Sequence, residues 1–158
     1  IGNNNIIRNN VSVGGYGISA SQAGGGNTTG DNIDFYYDTF INPSYLFYGF
    51  NVNGTVSFTN SDFINNIVTN CSNYDNGDYT LAGGFTIANN NFYSVTGSPT
   101  GSGNVSDNPN LDANYFFTPS SPTSVREGGQ TLTDVPLDKD GYKRKVPYSM
   151  GAYNYVEQ

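Results

Sequence analysis

One short phrase recurs along this chain, and it admits few folds. Val56, Phe58, Asn60 and Phe63 read apolar-x-apolar-x-Asn-x-x-apolar, and Phe85, Ile87, Asn89 and Phe92 repeat all four positions 29 residues later. Ile33, Phe35, Tyr37 and Phe40, 23 residues earlier, put Tyr in place of Asn; Asn5, Ile7, Asn9 and Ser12, a further 28 back, keep the middle of the pattern. Alternation over so few residues marks a strand, and copies every ~20–50 residues mark a stacked repeat. Each copy supplies a strand whose inward side chains, such as Phe35, Phe58 and Ile87, stack on their counterparts about 4.8 Å away. One turn cannot bury its apolar face alone, so neighbours bury it. The Asn of the phrase suits a sharp bend, where it tolerates left-handed backbone and bonds local groups. Asn9, Asn60 and Asn89 are therefore expected to form a structural ladder.

The rest of the composition agrees. Charged residues make up only 12% of the 158, yet 23 are Tyr or Phe, which separates this chain from disordered ones. The formal charge of -7 is uneven: Arg8 is the sole base up to residue 125. An acidic body repels phosphate backbones, so nucleic acid is not an expected partner. The basic group Lys139, Lys143, Arg144 and Lys145 reads as a solvated turn that could touch an anion. Cys71 is the one cysteine and His is absent, which excludes an internal disulfide, zinc sites and Ser-His or Cys-His pairs. No stretch approaches the roughly 18 apolar residues of a membrane span. The chain begins at Ile1, not Met, so an upstream targeting sequence and further repeats are expected.

After residue 103 the period stops and Pro109, Pro119 and Pro122 appear. Repeats over 1–103 followed by a last rung, cap and terminal strand over 104–158 is the expected organisation, because an exposed final rung would offer open strand edges. The terminal strand is placed at "MGAYNY".

These repeats resemble those of right-handed parallel β-helix proteins of the pectate-lyase-like kind. The tail resembles the ending of choice-of-anchor Q bacterial surface proteins, through Asn108-Pro109, Ser121-Pro122, Asp138-Lys139-Asp140-Gly141 with Arg144, and Met150-Gly151-Ala152-Tyr153. Ser149 and Asn154 depart from that family's Asp and Glu. The resemblance implies an all-β, right-handed parallel β-helix solenoid with a C-terminal capping segment, in a bacterial extracellular or cell-surface setting. The four repeats and cap-like tail, with no His in the chain and Arg8 the one base on the repeats, lead to the expectation of a non-catalytic scaffold, adhesion or assembly module whose partner is a glycan or another surface protein. The alternative is a polysaccharide lyase or glycoside hydrolase, including a phage tailspike-like depolymerase, whose site upstream rungs complete.

For that alternative the outward positions offer Arg8 beside Asp34, Tyr36 and Asp38, with Arg8, Asp34 and Asp38 as catalytic candidates; a surface ion pair is the plainer reading. Tyr36, Tyr45 and Phe47 are the ligand-binding candidates, Tyr45 and Phe47 forming one face of the strand at Asn42–Gly54 and Leu46 and Tyr48 the other. No cofactor is required. Calcium is conceivable at Asp75, Asn76 and Asp78, or at Asp138 and Asp140, but neither supplies a full binding loop, and an Asn-Gly turn explains the first.

Overall fold

The structure, a computed structural model, describes residues 4–21, 28–50, 56–76, 79–80 and 85–155. Fourteen strands follow in chain order: β1 (Asn5–Arg8), β2 (Val11–Val13), β3 (Tyr16–Ser21), β4 (Thr28–Asp31), β5 (Ile33–Tyr36), β6 (Thr39–Ile41), β7 (Tyr45–Phe50), β8 (Val56–Thr59), β9 (Asp62–Ile64), β10 (Ile67–Cys71), β11 (Asn73–Asp75), β12 (Tyr79–Thr80), β13 (Thr86–Ala88) and β14 (Asn91–Val95). Each pairs in parallel with the strand four places on. Sheet one is β1-β5-β9-β13, sheet two β2-β6-β10-β14, sheet three β3-β7-β11 and sheet four β4-β8-β12. The chain therefore visits the sheets in one fixed order, and each circuit lays down a tier upon the last. Among the described residues the one helix, α1 (Thr123–Arg126), lies in the tail.

Inside the tiers the rings interlock. Ile33, Leu46, Phe47, Phe63 and Val68 are fully buried, and Phe35, Phe40, Phe58 and Phe92 nearly so. Phe63 sits between Phe40 and Phe92 with ring centroids 6.2 Å from each. Each such side chain removed from water stabilises by about 1.5–3 kcal/mol. Leu46 and Phe47 are adjacent in sequence yet both inside, so β7 does not keep the simple two-faced alternation expected of it.

The register corrects the repeat alignment. Phe35 pairs with Phe63, not Phe58, and Gly30 of sheet four pairs with Phe58. Equivalent residues in the first three tiers are 28 apart, and the step to the fourth is 24. Three bends recur, each carrying positive φ. Between sheets one and two lie Asn9, Tyr37, Asn65 and Asn89; at the end of sheet two, Gly14, Asn42, Asn70 and Ser94, the last two inside β10 and β14; before sheet one, Asn4, Asn32 and Asn60. Asn is the ordinary residue that best tolerates this left-handed geometry. Asn60 therefore belongs to a different bend from Asn9 and Asn89, and it is exposed, bonding Asp31 Oδ1 at 2.9 Å.

The ladder runs one residue further along, through Asn10, Asp38, Asn66, Asn90 and Asn104, with Asp38, Asn66 and Asn90 fully buried. Asp38 N–H donates to Asn66 Oδ1 at 2.8 Å, Asn66 N–H to Asn90 Oδ1 at 2.8 Å, and Asn90 N–H to Asn104 Oδ1 at 2.9 Å. Asn66 Nδ2 also donates to Phe35 O at 3.0 Å and Asn90 Nδ2 to Phe63 O at 2.8 Å. The bonds from Asp38, Asn66 and Asn90 N–H satisfy backbone donors that the bend removes from the sheets.

Residues 101–105 add bridges above the fourth tier, Ser102 to Ala88 and Val105 to Asn91. The remaining tail does not sit across the end of the stack. It lies along the flank at the bend between sheets one and two, as a strap. Gly128 O accepts from Asn89, Gln130 O from both Asn65 and Tyr37, and Leu137 O from Asn9. Val135 packs on Tyr36, Tyr37, Ile64 and Ala88, while Val125 and Met150 pack on Ile67. "MGAYNY" is not a strand: Met150 N–H reaches Val125 O, Gly151 N–H reaches Asn65 O and Ala152 N–H reaches Thr39 Oγ1, three unrelated acceptors. Gly151 has φ +77, and a Cβ there would lie 2.7 Å from Ile67 Cδ1. Gly151→Ala is expected to lower stability by about 1–3 kcal/mol, read as a shift of the denaturant midpoint.

Candidate functional site

On the outward face of sheet one, Ile6 pairs with Asp34 and Arg8 with Tyr36. Asp62, a residue that the sequence reading passed over, occupies the tier above Asp34, because Phe35 pairs with Phe63. Asp62 N–H donates to Asp34 Oδ1 at 3.1 Å, and Tyr36 Oη donates to Asp62 Oδ2 at 2.8 Å. Partial burial and then the Asp62 charge push the Asp34 carboxyl above its usual range. Burial, and next its bond to Asp62, raise the Tyr36 phenol, so it stays a donor and is a poor base. Arg8 is exposed.

Asp38 does not share this face. It is fully buried in the ladder, where Asn10 N–H and Nδ2 donate to Oδ1 at 2.8 and 2.9 Å and Oδ2 has no hydrogen-bond partner. The expected Arg8, Asp34, Asp38 grouping is thus divided by the bend. Phe47 is a core ring with no exposed surface, and Tyr36 is buried against the tail. Tyr45 joins Tyr16 and Tyr48 in an aromatic group, Tyr16 and Tyr48 lying parallel with centroids 3.9 Å apart. Asp75 lies in β11, whereas Asp78 falls outside the described residues.

Lys139, Lys143 and Lys145 are exposed, as expected of a solvated turn, but Arg144 is not. It is buried, its guanidinium lies 3.7 Å over the Tyr37 ring, and Nη2 donates to Asn9 Oδ1, Gly151 O and Ala152 O. Tyr37 is the one non-Asn residue at its bend, and its ring is what the tail's cation stacks upon.

The tail holds a second constellation, built from two loops of one design. In "LDANYF", Asp112 Oδ1 accepts from Asn114 N–H and Phe116 N–H, and Tyr115 takes φ 67. In "LDKDGY", Asp138 Oδ1 accepts from Asp140 N–H and Tyr142 N–H, and Gly141 takes φ 85. Antiparallel bridges Leu111 to Phe117 and Leu137 to Lys143 close the two loops alike. Between them is a cavity of about 220 Å³ lined by Asp112, Phe116, Asp138, Asp140, Tyr142 and Tyr153, among others. The signal for it was the repeated Leu-Asp followed by an aromatic residue four positions after the Asp. Among the described residues no group of three or more acidic or cysteine side chains is arranged to hold a metal ion.

Compared with protein-family models, curated proteins and solved structures, the chain matches none.

Proposed function

We propose that this chain is a section of a right-handed parallel β-helix that acts as a non-catalytic scaffold, adhesion or assembly module at a bacterial surface and contacts glycans there. The observation that carries the reading of the fold is the unvarying circuit through four parallel sheets. The right hand follows from the steric preference of crossovers between parallel strands. A bacterial surface setting rests on the resemblance of the tail to choice-of-anchor Q proteins. Among the described residues no helix is long and apolar enough to cross a membrane.

A scaffold is favoured over an enzyme by the state of the candidate groups. Asp38 is sealed inside the ladder, Tyr36 is held as a donor and Arg8 stands on the far side of Tyr36 from the next tier's Ile64. The second reading, glycan cleavage, draws on Asp34 and Asp62, neighbours in successive tiers joined by Asp62 N–H to Asp34 Oδ1 at 3.1 Å, since glycan cleavage takes a pair of carboxyl groups. Incubation with a panel of acidic and neutral polysaccharides separates the two. Binding without release of reducing ends or unsaturated products is the expected result; product formation that Asp34→Asn or Asp62→Asn abolishes would establish the enzyme instead.

A further inference from the structure

The cavity between the two Asp loops of the tail has the chemistry of a saccharide subsite. We propose that it takes a single neutral sugar ring, at the end or on a branch of a glycan. This assignment rests on the glycan-contact reading above and gives that contact a place.

The lining divides into stacking surfaces and acceptors. Tyr142 is 67% exposed and Phe116 38% exposed, both large for aromatic residues of a folded chain. Phe116 lies against Tyr153 with centroids 4.3 Å apart and planes inclined by 44°, so the rings form one bent apolar wall. A pyranose offers such a wall its C–H face, and its hydroxyls then point toward the rim. Asp138 is committed to the fold: Oδ1 takes two backbone N–H groups and Oδ2 takes Asn154 N–H at 3.2 Å. Asp112 uses Oδ1 for its own loop. Its second oxygen and the exposed Asp140 carboxylate remain as acceptors at the rim, and carboxylates accept hydroxyl hydrogens more strongly than neutral groups do.

Competing ligand classes fit less well. Three carboxylates around one small cavity repel uronates, sulfates and phosphates. A cationic guest meets a site already served by a cation, since Lys139 Nζ lies 5.7 Å over the Tyr153 ring. An aliphatic guest would make no use of the rim carboxylates, whereas a sugar hydroxyl can donate to them. At about 220 Å³ the cavity is smaller than the ~300–1,000 Å³ of sites for drug-sized molecules, which suits one ring and not a buried oligosaccharide.

The test is calorimetric titration of the whole chain with methyl glycosides of neutral hexoses and pentoses, their uronates, and choline. At least one neutral glycoside is expected to bind, with Tyr142→Ala and Asp140→Asn each weakening it about tenfold, while Val13→Ala, at an exposed position of β2, leaves binding unchanged. Both site residues are exposed, and melting curves check that the variants remain folded. Absence of binding by every neutral glycoside, tighter binding of a uronate or choline, or indifference to both site variants would overturn the assignment. Loss of the wider reading looks different: turnover of polysaccharide would sink the scaffold whether or not the cavity is filled, whereas polysaccharide binding insensitive to Tyr142→Ala would sink only the cavity.

Discussion

Asp38→Asn is expected to stabilise the protein at pH 8 and to remove most of its loss of stability between pH 4 and pH 7. In the ladder, Asn66 and Asn90 each donate from Nδ2 to a sheet-one carbonyl of the tier below, Phe35 O and Phe63 O. Continuing that register places Ile7 O opposite residue 38, because Ile7 pairs with Phe35. A carboxylate has no hydrogen to offer there, and its Oδ2 is buried without a partner. A protonated carboxyl does have one. Burial accordingly pushes the Asp38 carboxyl from 3.8 up to about 7, against the lowering effect of the Asn10 bonds and the Arg144 charge. The folded state thus holds a proton that the unfolded chain gives up more readily. Stability is full below about pH 3.8, falls as pH rises, and by pH 7–8 has declined by on the order of 4 kcal/mol. Asn supplies the hydrogen at every pH. Denaturant midpoints for both proteins at pH 4, 6 and 8 check this; parallel pH profiles would refute the role given to Asp38.

Asn66→Leu is expected to be the most damaging single change in the ladder. It leaves Asp38 N–H without a partner in a fully buried site and removes the Nδ2 bonds to Phe35 O and Asn90 Oδ1. The orphaned N–H costs about 1–3 kcal/mol and each lost side-chain bond about 0.5–1.5 kcal/mol, so the loss is about 2–6 kcal/mol. Asn60→Gly is the contrast: it keeps the positive φ at no steric cost, gives up one exposed bond to Asp31 and should stay within about 0.5 kcal/mol. Urea midpoints that fall equally in the two variants would mean that the bends are not distinct.

That contrast also marks how far the sequence could be read. Alternation revealed short strands, and the recurrence of the phrase revealed stacking, because inward positions such as Phe35 and Ile87 must be apolar in every tier. The register did not follow, for a physical reason. Bends on both sides of sheet one demand left-handed backbone, and Asn meets that demand at each, so "VSFTN" before one bend resembles "FTIAN" before another. Matching Phe58 to Phe35 was the result, and Asn60 was grouped with Asn89. The true ladder had its own mark, a bend residue followed by a second polar residue in Asn9-Asn10, Asn65-Asn66 and Asn89-Asn90, hidden at Tyr37-Asp38. Asp62 joined Asp34 only once the register was known. Arg144 was read as solvated because its burial depends on Tyr37, which is more than a hundred residues away in sequence.

The strap also carries a consequence for chain length and order of assembly. A bare stack can fray from either end, one tier at a time, and can accept an added tier with little disturbance. Here residues 128–137 run back from Asn89 past Asn65 and Tyr37 to Asn9, so the tier that holds Asn9 is secured only once the tail that follows all four tiers has been made. Contacts that span so much sequence slow folding, and they make the tiers lose structure together instead of one by one. The segment between Gly128 and Leu137 also works as a ruler. Its fixed length matches four tiers, and a duplicated 28-residue repeat would stack well yet leave Arg144 one tier short of Asn9.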